Sequence, residues 1–170
     1  MTIRRSGRPV SATRISTTAQ RLLDASPLCA IATVTPRGRA HVNTAYFAWT
    51  PDFRVVWLSE PRATHSRNLR ANPSVAIAVY ESNQSWGKPD SGIQLFGSAG
   101  DATPEAEEVY ASRFPEYRHA DFPSYRLYEL VPRRLKVFDE RELGAATFVT
   151  ASVAAGGRLA WERTEVYSSA

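Results

Sequence analysis

One cysteine and one methionine occur in 170 residues, so the chain has no thiol pair to bridge. That excludes an internal disulfide and a cysteine-built zinc site. The lone thiol, Cys29, lies in the apolar run LCAIATV and reads as a small buried side chain rather than a nucleophile. No stretch approaches the roughly 20 apolar residues of a membrane span, and the charged N-terminus has no apolar core of a signal peptide. The expectation is a cytoplasmic protein with no membrane partner. GxSxG, HExxH, GxxxxGK[ST] and GxGxxG are all missing. His41, His65 and His119 are scattered without ligand-spaced neighbours, so no metal site is expected. Lysine is scarce too: 19 of the 21 basic residues are arginine. The net charge of +4 is local, because Arg4, Arg5, Arg8 and Arg14 precede the first acid, Asp24, and the charges beyond residue 14 cancel. Residues 1–14 therefore read as a flexible, solvated basic arm, and no nucleic-acid partner is expected.

What is present is mostly strand. STTAQRLLDAS reads as a short helix with Thr17 as N-cap and Gln20 completing a capping box. LCAIATV and AHVNTAYFAWT form a hairpin across TPRGR, and RVVWLS is a third strand rich in β-branched and aromatic residues. Ala63 to Ala71 changes period and reads as one short helix, closed by Pro73. SVAIAVY is an apolar strand, ESNQSWGKPDSG a polar loop, and IQLFGSAGDA a strand in which Gly97 and Gly100 suggest bends. TPEAEEVYASRF is a second helix, with Thr103 at its cap and Pro104 at its first position. YRLYELV and RLKVFD close the strand set around Pro132, and TASVAAGG reads as a flexible segment. The result is a mainly β chain with peripheral α, an antiparallel barrel of six to seven strands and short helices.

The segment LSEPRATHSRNLRANPSVAIAVY places polar and basic groups between two strands that want burial. A strand ending at Ser59 runs through a turn carrying Arg62 into a helix that starts with Thr64 and His65. Hydroxyls, a guanidinium and free backbone N–H groups then converge at the positive end of a helix dipole. Such a corner suits a phosphate, with Arg62 as a planar fork and Ser59 and Thr64 as hydroxyl donors. Trp86 stands apart: it lies in a polar loop with no local reason for burial, and suits a partner subunit or a bound ring. His119, in EYRHADFP, reads as a solvated loop residue.

The order GRAHVNTAYF, RVVWLS, THSRNLRANPSVAI, IQLFGSA resembles the pyridoxamine 5′-phosphate oxidase-like superfamily of split β-barrel flavoproteins, over about Leu28 to Asp139. The resemblance implies a homodimer with FMN between two chains, a split-barrel domain at 15–150 and a C-terminal tail at 151–170. By position it puts Asn43, Thr44 and Ala45 along the flavin, and Leu58 and Ser59 beside its ribityl phosphate. It puts Thr64 and His65 at the family's basic phosphate-binding pair. It brings Gln94 to the flavin from the partner chain, and Trp86 completes the expected cofactor set. Asn43 replaces the basic residue of the true oxidases, and Thr64–His65 replaces their basic pair, which leaves Arg62 as the compensating cation. No C-terminal Arg-x-His signature is present, so vitamin B6 oxidation is not the expectation. What is expected is an oxidoreductase passing a hydride between FMN and a small substrate, with no general base evident. Related barrels use deazaflavin F420, for which Arg37, Arg39 and the N-terminal arginines are the loose candidates, or haem, for which His41 or His65 could serve. A non-catalytic flavin or ligand carrier is the alternative from another class.

Overall fold

The computed structural model describes residues 2–168. Its strands are β1 (Thr2–Ser6), β2 (Leu28–Val34), β3 (Ala40–Trp49), β4 (Val55–Ser59), β5 (Ser74–Val79), β6 (Ser91–Asp101), β7 (Arg126–Asp139), β8 (Thr147–Val153) and β9 (Leu159–Ser168). The helices are α1 (Ala12–Asp24), α2 (Thr64–Ala71), α3 (Pro104–Arg113) and α4 (Glu140–Leu143), with 3-10 turns at His119–Asp121 and Ala155–Gly157. Strand order is β1-β9-β8-β7-β4-β3-β2-β5-β6, and β6 also pairs with β7. Strands β2 to β7 thus make a six-strand antiparallel barrel, which removes the free edges that such strands would otherwise expose.

The chain clusters into two compact units. One comprises Pro27–Ile77 and Phe96–Pro132. Its core follows from alternation: Cys29 and Ile31 on β2, Val55 and Trp57 on β4 and Val75 and Ile77 on β5 are all buried. The β3–β4 turn is held by side chains as well as backbone. Phe53 sits at φ 66°, a left-handed conformation that an aromatic residue rarely takes, with its ring buried. Around it the Thr50 hydroxyl donates to Asp52, and Arg54 Nε donates to both Asp52 oxygens at 3.1 Å. Arg54 Nη1 reaches Glu129 at 3.3 Å. Burial opposes ionisation of Asp52, but the Thr50 hydroxyl and the Arg54 guanidinium outweigh it and hold the carboxyl below its ordinary range.

The other unit comprises Met1–Ser26, Ala78–Leu95 and Arg133–Ala170, and here the structure departs from the expectation. Residues 2–6, expected within a solvated arm, are a strand, because the extended backbone of TIRRS pairs antiparallel with β9 from Ser6↔Thr164 to Thr2↔Ser168. The following helix starts at Ala12, not after Thr17. Ser11 Oγ accepts from the Arg14 N–H at 3.3 Å, and Ile15, Thr18, Ala19, Leu22 and Leu23 then form one buried face. Residues 151–170, expected as a tail, contribute the end of β8 and all of β9. The turn between those strands needs positive φ at Gly156 (70°) and Gly157 (74°), which explains a glycine pair that read as flexibility. The described residues thus form nine strands, of which six make the barrel, within the six to seven expected for it, and three lie outside it.

Candidate functional site

The β2–β3 hairpin alternates strictly. His41, Asn43 and Ala45 are half-buried, while Val42, Thr44 and Tyr46 point outward. β4 ends with Ser59 buried, and the chain turns through Glu60 to Ala63 into α2. That turn is pinned by Arg70 Nη1, which donates to the Pro61 carbonyl at 3.2 Å, and by the Arg62 N–H, which donates to the Glu60 carboxylate at 2.8 Å. No side chain caps α2 at Ala63, so the dipole of its first turn is left open. Asn68 Nδ2 donates to Thr33 Oγ1 at 2.9 Å, both residues being buried, and this locks α2 against β2.

At the helix start lies a buried hydroxyl–imidazole pair. His65 Nε2 and Ser59 Oγ are 2.6 Å apart, and Ser66 Oγ donates to Ser59 Oγ at 3.3 Å. The His41 ring stacks beside His65, with centroids 6.4 Å apart and planes 7° from parallel. Burial, and then the neighbouring His41, push the His65 pKa below its ordinary value, so His65 is neutral at pH 7.

Ser59 and His65 line a groove of about 450 Å³ together with Asn43, Thr44, Ala45 and Leu58. Six of the ten predicted cofactor residues thus share one cavity. Arg62 and Thr64 are exposed neighbours on the same turn, outside the lining. Gln94 and Trp86 belong to the other unit, where the fully exposed Trp86 lines a separate cavity with Tyr80, Gln84, Lys88 and Phe138.

The far wall of the groove was not foreseen. Tyr46, Tyr110, Phe122 and Tyr125 complete it. Their rings continue an aromatic series in which Tyr46 meets Phe114 edge-on at 5.8 Å, Phe114 meets Tyr110 at 4.9 Å, and Phe122 meets Tyr125 at 5.5 Å. The available signal was the recurrence of aromatics at 110, 114, 117, 122 and 125 in VYASRFPEYRHADFPSY. Burial, and then the neighbouring Tyr117, raise the Tyr110 hydroxyl to about 12, so it stays protonated as a donor. The lining charges are Glu60 and, when protonated, His65. Chemically the groove offers a hydroxyl and imidazole end that suits an oxyanion and an aromatic end that suits a planar ring.

Cys29 is buried, its thiol pushed up to about 12 chiefly by that burial, so it supplies no thiolate. His119 is exposed and meets Tyr117 at 3.1 Å and Glu107 at 3.6 Å, as a solvated loop residue does. Among the described residues no group of three His, Cys, Asp or Glu side chains could hold a metal ion, and no helix is long and apolar enough to cross a membrane.

A six-strand antiparallel barrel with a groove where β3, β4 and α2 meet defines the class of fold. The pyridoxamine 5′-phosphate oxidase family matches residues 15–139, and the chain belongs to this family of FMN-binding split barrels. No curated protein matches. Among solved structures, a conserved hypothetical protein from Mycobacterium tuberculosis superposes with a TM-score of 0.62 at 20% identity, over 80% of this chain and 89% of that one. A pyridoxamine 5′-phosphate oxidase-related, FMN binding protein from Nostoc punctiforme gives 0.60 at 14% identity, over 89% and 94%. A heme binding protein from Mycobacterium smegmatis gives 0.59 at 18% identity, over 93% of this chain and 60% of that one. At these identities the superpositions speak for the fold.

Proposed function

We propose that this chain is an FMN-dependent oxidoreductase that moves two electrons between the flavin and a small substrate, and that it works as a homodimer. The observation that carries this reading is the groove, with its buried Ser59–His65 pair at one end and its aromatic wall at the other. Ser59, Thr64 and the open first turn of α2 would hold the phosphate, with Arg62 as an exposed cation beside it. Asn43, Thr44, Ala45 and Leu58 would line the ribityl chain and ring, and Gln94 and Trp86 would come from the second copy. Bound FMN supplies the redox chemistry, and the protein orients it and excludes water.

Support for a dimer comes from the outer face of the hairpin. Leu28 is 44% exposed, Val42 63% and Tyr46 58%, and the register places Leu28 opposite Tyr46, Ala30 opposite Thr44 and Ala32 opposite Val42. Thr44 and Tyr46 belong both to this apolar face and to the groove, so a second copy seated there would finish the groove. F420 is disfavoured because the lining has no basic track for a polyanionic tail. Haem has His41 as its better candidate, since Ser59 engages Nε2 of His65. The test is mass spectrometry of the small molecule released on denaturing the purified protein, followed by anaerobic reduction with NADH or NADPH. Released FMN that NADH or NADPH bleaches supports the reading. Released haem or F420 overturns the cofactor, and flavin that neither donor reduces favours a carrier.

A further inference from the structure

The direction of the Ser59–His65 hydrogen bond depends on the histidine tautomer. Ser66 donates to Ser59, and with His65 neutral and protonated at Nδ1 the single Ser59 hydrogen goes to Nε2 at 2.6 Å. Both residues are 6% exposed, so neither is freely hydrated. In that state the groove end of the pair presents oxygen lone pairs, and an oxyanion arriving there would be repelled. One added proton reverses the arrangement. With Nε2 protonated, the imidazolium donates to Ser59 Oγ, the Ser59 hydrogen is released toward the groove, and a positive charge stands behind it.

We propose that this groove takes up a phosphoryl-type oxyanion together with one proton from solvent, which settles on His65 Nε2 and turns Ser59 from a donor to His65 into a donor to the ligand. This rests on the reading that the groove holds the phosphate of a flavin nucleotide, and it adds a cation inside the groove: a histidine charged by the ligand's arrival, beside the permanently charged but exposed Arg62. The surroundings agree. Burial, and then stacked His41 on β3, disfavour a positive charge at His65, and an anion in the groove compensates for both. Glu60, Tyr110 and Tyr125 line the same groove, and Tyr110 stays neutral. Arg126 stands opposite Ser59 in the β4–β7 ladder but spends Nη1 on the Pro123 and Tyr125 carbonyls. Arg62 and Arg67 are exposed, and β2, which packs on α2, carries no charged residue. Buried in this way, the free imidazole has its pKa below the ordinary value, and a bound anion raises it.

The sign follows: affinity is highest in acid and falls as pH rises from the free to the bound pKa of His65, by up to about tenfold per pH unit inside that window. Sulfate is the clean probe, because FMN phosphate itself titrates near pH 6. Calorimetry of the full chain with sulfate and with FMN, in two buffers of different ionisation enthalpy between about pH 5 and 8, should show uptake of up to one proton per site with sulfate. His65→Gln should bind without the pH slope, and Ser59→Ala should bind more weakly while keeping it. Should either variant fail to fold, the wild-type His65 ring resonance serves alone: its titration must move to higher pH on adding sulfate. FMN and sulfate binding that is flat with pH, with an unmoved His65 titration, overturns the proton coupling and leaves the flavin reading standing. Absence of binding by both ligands at every pH overturns both.

Discussion

Replacing Gly97 by alanine tests a close backbone approach between β6 and β7 in the barrel. A Cβ at Gly97 would lie 2.1 Å from the Val131 carbonyl oxygen and 2.9 Å from Pro132 Cα, atoms of the β7 backbone that no rotamer change can move. Real Cβ contacts essentially never fall below 3.0 Å, so β6 and β7 would have to separate by about 1 Å or bend locally. Backbone that cannot yield costs more than a displaced side chain tip, and overpacking of this sort runs at about 1–3 kcal/mol. For a chain of this size each kcal/mol lowers Tm by about 2–4 °C. Chemical denaturation should show the midpoint falling with an unchanged slope, the mark of lost stability without a changed denatured state. Gly97 carries no left-handed φ, so the loss would be steric and not conformational. A Tm within 1 °C of the parent protein, about the resolution of such a scan, would show that the strands part freely and that Gly97 is not what lets β6 and β7 meet.

Three further outcomes follow from the site. His65 is held below its ordinary pKa by burial and then by His41, so as pH falls through about 6.5 the unfolded chain protonates first and folding stability drops. Urea denaturation at pH 7 and pH 5 should show that drop, and His65→Gln should be flatter between the two. Val42→Glu places a charge on the exposed hairpin face, 63% open, and should leave the fold intact while light scattering reports monomer. A dimer of undiminished affinity would assign the interface elsewhere. Arg62→Ala should weaken FMN retention by about 1.5–3 kcal/mol, roughly tenfold to a hundredfold, in a titration monitored by flavin fluorescence. Unchanged affinity removes Arg62 from the phosphate site and leaves the charge to His65.

Where one face of an element is buried, the sequence was a good guide. LCAIATV, RVVWLS and SVAIAVY are strands within a residue or so of their expected ends, and the helix at 64–71 stops before Pro73. Ser59 and His65 fall in one groove because a strand end, a turn and a helix start are local geometry, which short-range pattern encodes, whereas Asn43–Ala45 on β3 were placed there by the family resemblance alone. The aromatic wall was not readable, because Tyr46, Tyr110 and Tyr125 come together only through the pairing of β3, β4 and β7, with α3 packed on β3 and β4. Residues 2–6 read as a solvated arm because Arg4 and Arg5 open the basic run of Arg4, Arg5, Arg8 and Arg14, and both are indeed exposed. What orders them is backbone pairing to β9 at the opposite end of the chain, a long-range partner invisible to composition.

The two cofactor readings that the fold leaves open ask opposite things of the same histidines, and that makes pH the arbiter between them. Iron in a haem takes the lone pair of a neutral imidazole, so acid competes with ligation. An oxyanion draws the imidazolium, so acid assists it. Here Ser59 occupies Nε2 of His65 at 2.6 Å, and a haem would have to break that bond or turn to His41, whose ring lies parallel at 6.4 Å. Titrating the apoprotein with haem and with sulfate, as the stand-in for the flavin phosphate, at pH 5.5 and 7.5, roughly one unit either side of the ordinary histidine value, should therefore give affinities that move in opposite directions, sulfate tightening in acid. Haem binding that strengthens in acid would remove both histidines as its ligands, and sulfate binding that weakens in acid would remove His65 from the anion site, leaving the groove's chemistry to be sought along the tyrosine wall.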